Sequence, residues 1–213
     1  MSTEPKDIID HLAGIAPGSS LDTIRARRQQ ARDNAQKSYL TLFVPADFGD
    51  VPAADRHAVA AFVAGLHGEP AVTAFYLAKL AGRAELVDAL KAEIERGKTK
   101  GPYGAFPAGP LSAENTTGLI YRVANDRKAV LGAKLAAILE HTHLLVFRPR
   151  DAAPAAMQAL LDAGWSTNAI VTLSQLVSFL SFQVRSVAGL RTLGASLGQR
   201  AATAKASWGA CDE

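Results

Sequence analysis

Between Asp162 and Arg185 the chain runs without a charged residue, from Ala163 to Val184. A stretch of that length is either a membrane span or a helix enclosed by other helices. Its polar residues decide between the two: Ser166, Thr167, Asn168, Thr172, Ser174, Gln175, Ser178, Ser181 and Gln183. In lipid each would need an internal partner, so the predicted state is a buried core helix from Asn168 to about Leu193. Thr172, Gln175 and Ser178 form a narrow polar strip on it, and its place is the centre of a bundle or a subunit interface. Composition points the same way. Hydrophobic residues make up 48% of the chain but aromatics only 7%. The apolar mass is therefore alanine and leucine, which favour helix, rather than the β-branched and aromatic residues of strands. No segment reads as a strand, and the expected fold class is all-α.

Glycine and proline punctuate the remainder. A short helix is predicted around Lys6–Leu12, followed by a break at Ala16-Pro17-Gly18-Ser19. A long helix follows from about Leu21, with Leu21, Ile24, Ala31, Ala35 and Leu42 on one side. Arg25, Arg27, Arg28, Arg32 and Lys37 lie on its other face, interspersed with Asp22 and Asp33, and read as a solvated face. After the turn-rich Pro45–Pro52, a helix over Asp55–Leu66 buries Val59, Phe62, Val63 and Leu66. Another starts at Glu69-Pro70, where proline suits the first turn. It continues past Leu77 and Leu80 to Leu86, Leu90 and Ile94, with Gly82 as a bend or interruption. Gly97–Ser112 is the one long irregular segment, a loop suited to a lid or a subunit contact. Helices are predicted to resume near Glu114 and again over Asp126–Phe147. Arg148-Pro149-Arg150 then breaks the chain, Pro154–Ala163 forms a short helix, and Ser166 or Thr167 caps the last one.

Several chemistries fall away at once. The chain has one cysteine, Cys211, which excludes an intrachain disulfide, a CxxC redox pair and a thiolate zinc site. A net charge of +3 with 20% charged residues describes an ordinary soluble surface, so no nucleic-acid partner is expected. The opening MSTEPKDIID is polar and acidic where a secretory leader is basic and then apolar. A cytoplasmic protein with no membrane partner is expected. Gly97-Lys98-Thr99 ends like a phosphate-binding loop but has Ala92 where that motif needs glycine, and follows a helix rather than a strand. Glu140, His141 and His143 group like metal ligands, yet residues two apart on a helix face different ways. They read as structural or surface histidines, with no metal and no cofactor expected. Trp165 and Phe147 read as packing residues.

Two segments carry a family resemblance. Met157-Gln158-Ala159-Leu160-Leu161-Asp162-Ala163-Gly164-Trp165-Ser166, followed by Ser178-Phe179-Leu180-Ser181-Phe182-Gln183-Val184-Arg185, resembles the closing half of the AhpD-like proteins. These form the alkylhydroperoxidase D and carboxymuconolactone decarboxylase superfamily. Upstream, Ala54-Asp55-Arg56-His57-Ala58-Val59-Ala60 through Leu66-His67-Gly68-Glu69-Pro70-Ala71-Val72-Thr73-Ala74-Phe75-Tyr76 resembles that family's active-site helix pair. The resemblance implies an AhpD-like helical bundle over residues 40–195 and homo-oligomers; outside it the chain reads as a helical extension over 1–39 and a flexible tail over 196–213.

Overlaid residue by residue, the family's two cysteines fall on Glu69 and Val72, its histidine on Tyr76 and its acidic residue on His57. Its arginine of the last helix falls on Arg185, where a charge among apolar neighbours demands a partner, either a carboxylate substrate or a salt bridge. Thiol peroxidase chemistry has no sulfur at either position. Glu69, Val72 and Tyr76 share one helix face, and the resemblance puts His57 across from them. A carboxylate, an imidazole and a phenol suffice for proton abstraction and return on a carbon acid. Val72 and Arg185 would then contact the substrate. The bland alternatives are a helix-capping Glu69, a core Tyr76 and a solvated His57. Three readings follow: a small organic molecule bound between helices, either with cofactor-free acid–base chemistry or bound only; a catalytically silent structural or regulatory subunit; or a peroxidase-related antioxidant protein, which the family alone suggests.

Overall fold

A computed structural model describes residues 4–209, with side chains described as far as Gln199; Cys211 lies outside them. Among the described residues the chain is all-helical, and its one β-contact is an isolated antiparallel bridge between Gly104 and Thr116. The helices are α1 (Ile8–Ala13), α2 (Ser20–Ala26), α3 (Gln29–Phe43), α4 (Ala53–Leu66), α5 (Pro70–Ala78), α6 (Ala84–Gly97), α7 (Asn125–Phe147), α8 (Pro154–Asp162) and α9 (Thr167–Gly209). Side-chain oxygens cap where the sequence offers them. Asp7 accepts from Asp10 N, Ser19 from Asp22 N and Ser166 from Ala169 N, at 2.9, 3.3 and 3.1 Å. Proline opens both α5 and α8, where the missing N–H would have had no intrahelical partner.

Three elements differ from the sequence expectation, and a fourth resolves one of its alternatives. The long helix from Leu21 is two helices, broken at Arg27-Arg28 between α2 and α3. Gly82 interrupts rather than bends the helix that opens at Pro70: Leu77 and Ile94 sit on separate helices, with Gly82 at φ 85° in the break. The chain does not become α-helical near Glu114; only a 3₁₀ turn, Pro110–Glu114, forms before α7. Finally, α9 runs past Leu193 to Gly209. Inside α7, Gly132 has φ 75° and ψ 162°, a left-handed backbone that glycine alone adopts at little cost.

The chain divides into two units, residues up to Tyr39 with those from Gln183 onward, and Leu40–Phe182. In the first, the expected solvated arginine face is corrected. Arg25 pairs with Asp7 and Asp10, and Arg32 with Asp7, Asp10 and Asp22; all five side chains are at most a quarter exposed. Burial pushes the Asp7 carboxyl up, but the Asp10 N–H and the two arginines outweigh it and leave it below the usual carboxylate range. Arg27, Arg28 and Lys37 do face solvent.

In the second unit α4 is the hub, packed against α5, α6 and α7. Ala58 through Ala64 are fully enclosed, and so many alanines let neighbouring helices approach closely. The tightest approach is at Gly65, where a Cβ would meet Ile94 of α6 at 2.5 Å. Leu173, Leu176, Val177 and Leu180 of α9 are buried, consistent with a core helix. By length and composition, Asn125–Phe147 and Thr167–Gln199 could each cross a membrane; 56% and 44% of their apolar windows are buried inside the protein.

Candidate functional site

Proline at the head of α5 and the tight turn at Gly68 fold α5 back against α4, which fixes what His57 and Tyr76 face. Tyr76 is completely enclosed, while His57, on the first turns of α4, is half-buried. Their ring centroids are 6.5 Å apart. Phe43, the last residue of α3, stacks on both, 5.4 Å from His57 and 5.2 Å from Tyr76. Phe75 meets Tyr76 edge-on at 5.1 Å. The imidazole and the phenol expected from sequence are therefore brought together in one aromatic cluster.

Glu69 occupies the N-cap position of α5, half-buried, but its side chain makes no cap hydrogen bond. Its carboxylate at the N-cap position therefore does not act through a capping hydrogen bond. Its backbone carbonyl instead takes the Thr73 N–H and hydroxyl at 2.9 and 2.8 Å. Val72 is fully buried. Arg185 belongs to the other unit and is exposed to solvent, so the expected partner for a charge among apolar neighbours is not required of it.

Arg56, passed over in the sequence as a flank of His57, holds this region together. It is only 5% exposed and reaches back across the Pro45–Pro52 turn. Its Nε donates to Val51 O at 2.9 Å, and its two terminal nitrogens donate to Leu42 O at 2.6 Å and Phe48 O at 2.8 Å. The guanidinium also lies over the Phe48 ring, 5.2 Å from its centroid. This latch fixes the chain that leaves Phe43, and so the ring on which His57 and Tyr76 stack.

The Glu140, His141 and His143 group divides as the two-residue spacing implies. His143 is fully buried, donates through Nε2 to Gly97 O at 3.0 Å, and stacks on Tyr121 at 4.8 Å. Tyr121 in turn donates to the buried Glu93 at 2.5 Å, which ties the extended segment before α7 to α6. Burial pushes the His143 imidazole down to about 4, so it is neutral at physiological pH. His141 is buried as well, but neither ring nitrogen has a hydrogen-bond partner. The expectation of ordinary structural histidines therefore fits His143 and not His141. Among the described residues no group of three or more His, Cys, Asp or Glu is placed to hold a metal ion. Trp165 packs as expected, its indole N–H on Lys134 O at 2.8 Å.

No protein-family model, no curated protein and no solved structure matches the chain.

Proposed function

We propose that this protein is a divergent, thiol-free member of the AhpD-like superfamily that binds a small organic molecule between helices. In this reading it moves a proton on that molecule without a cofactor, as a lyase or isomerase does, in the cytoplasm. The observation that supports it is the juxtaposition of His57 and Tyr76 across α4 and α5, with Phe43 stacked on both. Those are the positions where the resemblance has its acid and its histidine. An imidazole can take a proton near neutral pH, and a phenol beside it can return or stabilise one. With no cysteine at Glu69 or Val72, nothing there can form a thiolate.

A peroxide assay separates this reading from the thiol chemistry of the resembling family. Purified full-length chain supplied with a dithiol and an organic hydroperoxide is expected to turn over at the uncatalysed rate, and Cys211→Ser is expected to change nothing. Turnover well above background in either protein would overturn the thiol-free reading.

A second reading, a catalytically silent subunit of a homo-oligomer, is favoured by one feature of α9. Val171 is 52% and Phe182 49% exposed, and with Gln175 and Ser178 exposed between them they form one uncharged face. Large apolar side chains grouped on an exposed helix face are what a helix–helix contact buries. Homo-oligomerisation belongs to both readings, so it is the chemistry at His57 and Tyr76 that separates them.

A further inference from the structure

Between α7, α8 and the segment that precedes α7 lies a cleft of about 250 Å³, far larger than the roughly 10–15 Å³ one water needs. One side is methyl-lined, with Ala137 and Leu144 of α7 facing Ala155, Ala156 and Ala159 of α8. The other side is polar, formed by Arg122, Glu140, His141, Arg148 and Asp151. It shares no residue with the His57 cluster, and it stands independently of the function proposed for that cluster.

The polar side is incomplete in a specific way. Arg122 is answered, with one nitrogen 3.0 Å from Glu140, whose other oxygen takes the Val123 N–H at 3.1 Å. Arg148 is not. Its contact with Asp151 is 3.5 Å long, and its Nε is buried with no hydrogen-bond partner. Asp151 is meanwhile engaged by the Ala105 N–H at 3.0 Å. His141, 5% exposed, leaves both ring nitrogens unpaired. Burial lowers the pKa of that ring, and a neutral ring offers one N–H for donation. Unpaired buried donors cost free energy, and here both belong to residues that line one cleft. What they lack is an acceptor bearing negative charge.

The surroundings narrow the class. Methyl groups and Leu144 make the opposite wall, with no aromatic ring among them, so an aliphatic body fits better than a flat one. Glu140 and Asp151 would repel a second negative charge. We propose that this cleft binds a short-chain aliphatic monocarboxylate, its carboxylate on Arg148 and the His141 N–H and its alkyl chain on the alanines of α7 and α8.

The test follows the His141 imidazole signals of the full-length chain by NMR as butyrate is added, with butyramide as a neutral control of the same shape. Saturable shifts at millimolar butyrate and none with butyramide are expected. Arg148→Gln should weaken butyrate about tenfold or more through loss of a charge-assisted contact. Ala156→Leu, at a half-buried position on α8, should do the same by filling the cleft, and it decides the matter should Arg148→Gln fail to fold. Absence of a saturable response, equal response to butyramide, or undiminished binding in the folded variants would each overturn the proposal.

Discussion

Replacing Arg56 by methionine is expected to destabilise the protein by about 4 kcal/mol. Methionine preserves much of the apolar stem but leaves the buried carbonyls of Leu42 and Val51 without donors and takes from the Phe48 carbonyl the shorter of its two hydrogen bonds, the other coming from the Val51 N–H. Unsatisfied buried polar groups cost roughly 1–3 kcal/mol each. In a domain of this size that corresponds to a fall in Tm of about 8–16 °C. Arg56→Lys should recover only part of the loss, because one ammonium cannot reproduce a planar fork aimed at three acceptors. Urea unfolding followed by circular dichroism measures both variants. The effect should extend to the site, since Phe43 lies just beyond the latched Leu42. Nuclear Overhauser contacts between Phe43 and Tyr76 should weaken in Arg56→Lys. A loss below about 1 kcal/mol for Arg56→Met would show that the latch is dispensable.

His143 is expected to make the protein acid-sensitive. Burial, opposed by the Gly97 carbonyl and assisted by Arg148, holds its pKa at about 4 in the folded state, against about 6.5 in an unfolded chain. The unfolded state therefore takes up the proton first as pH falls. The stabilisation by neutral His143 is complete above about pH 6.5, is lost progressively down to about pH 4, and totals about 3 kcal/mol. Asp7 and Asp55 also have shifted pKa values, in opposite directions, so the clean observable is the difference between wild type and His143→Phe. Phenylalanine keeps the ring between Tyr121 and Phe147 and gives up only the bond to Gly97. Unfolding free energies measured between about pH 7.5 and pH 4 should show the variant less stable at the upper end, gaining on wild type as pH falls. Parallel curves would mean that His143 is not held neutral.

The sequence carried the helices whose signals are local. The apolar stripe of α4, the proline that opens α5, the glycine break before α6 and the Ser166 cap of α9 were all legible. What was not legible depends on partners distant in the chain. Arg27-Arg28 contains neither glycine nor proline, and the apolar periodicity reads straight through it. The fate of Arg25 and Arg32 is decided by α1 folding back to present Asp7 and Asp10. The segment after Glu114 stays extended because Tyr103 donates to Leu119 O at 2.6 Å and Tyr121 to Glu93, neither of which any periodicity announces.

For the site, helix spacing put Tyr76 on one face with Glu69 and Val72, and it was the resemblance that set His57 across from it, while Arg56 was hidden because its partners are backbone carbonyls with no sequence signature. Nor did anything in the local sequence of His141 predict a buried ring with both nitrogens unpaired. The Arg148-Pro149-Arg150 stretch read as a chain break, and half of its meaning is the cleft it borders.

The proposed chemistry at His57 and Tyr76 is tested most directly by solvent deuterium exchange. Small lactones and ketones, incubated with the full-length chain in D₂O, are followed by proton NMR for loss of the signal at the carbon beside the carbonyl. Protein-dependent exchange is predicted for at least one of them, unchanged in Cys211→Ser and reduced about a hundredfold in His57→Gln and Tyr76→Phe, the scale typical of removing a general acid or base. Exchange no faster than in buffer, or exchange that persists in both site variants, would contradict the account and leave the silent subunit as the reading of this fold.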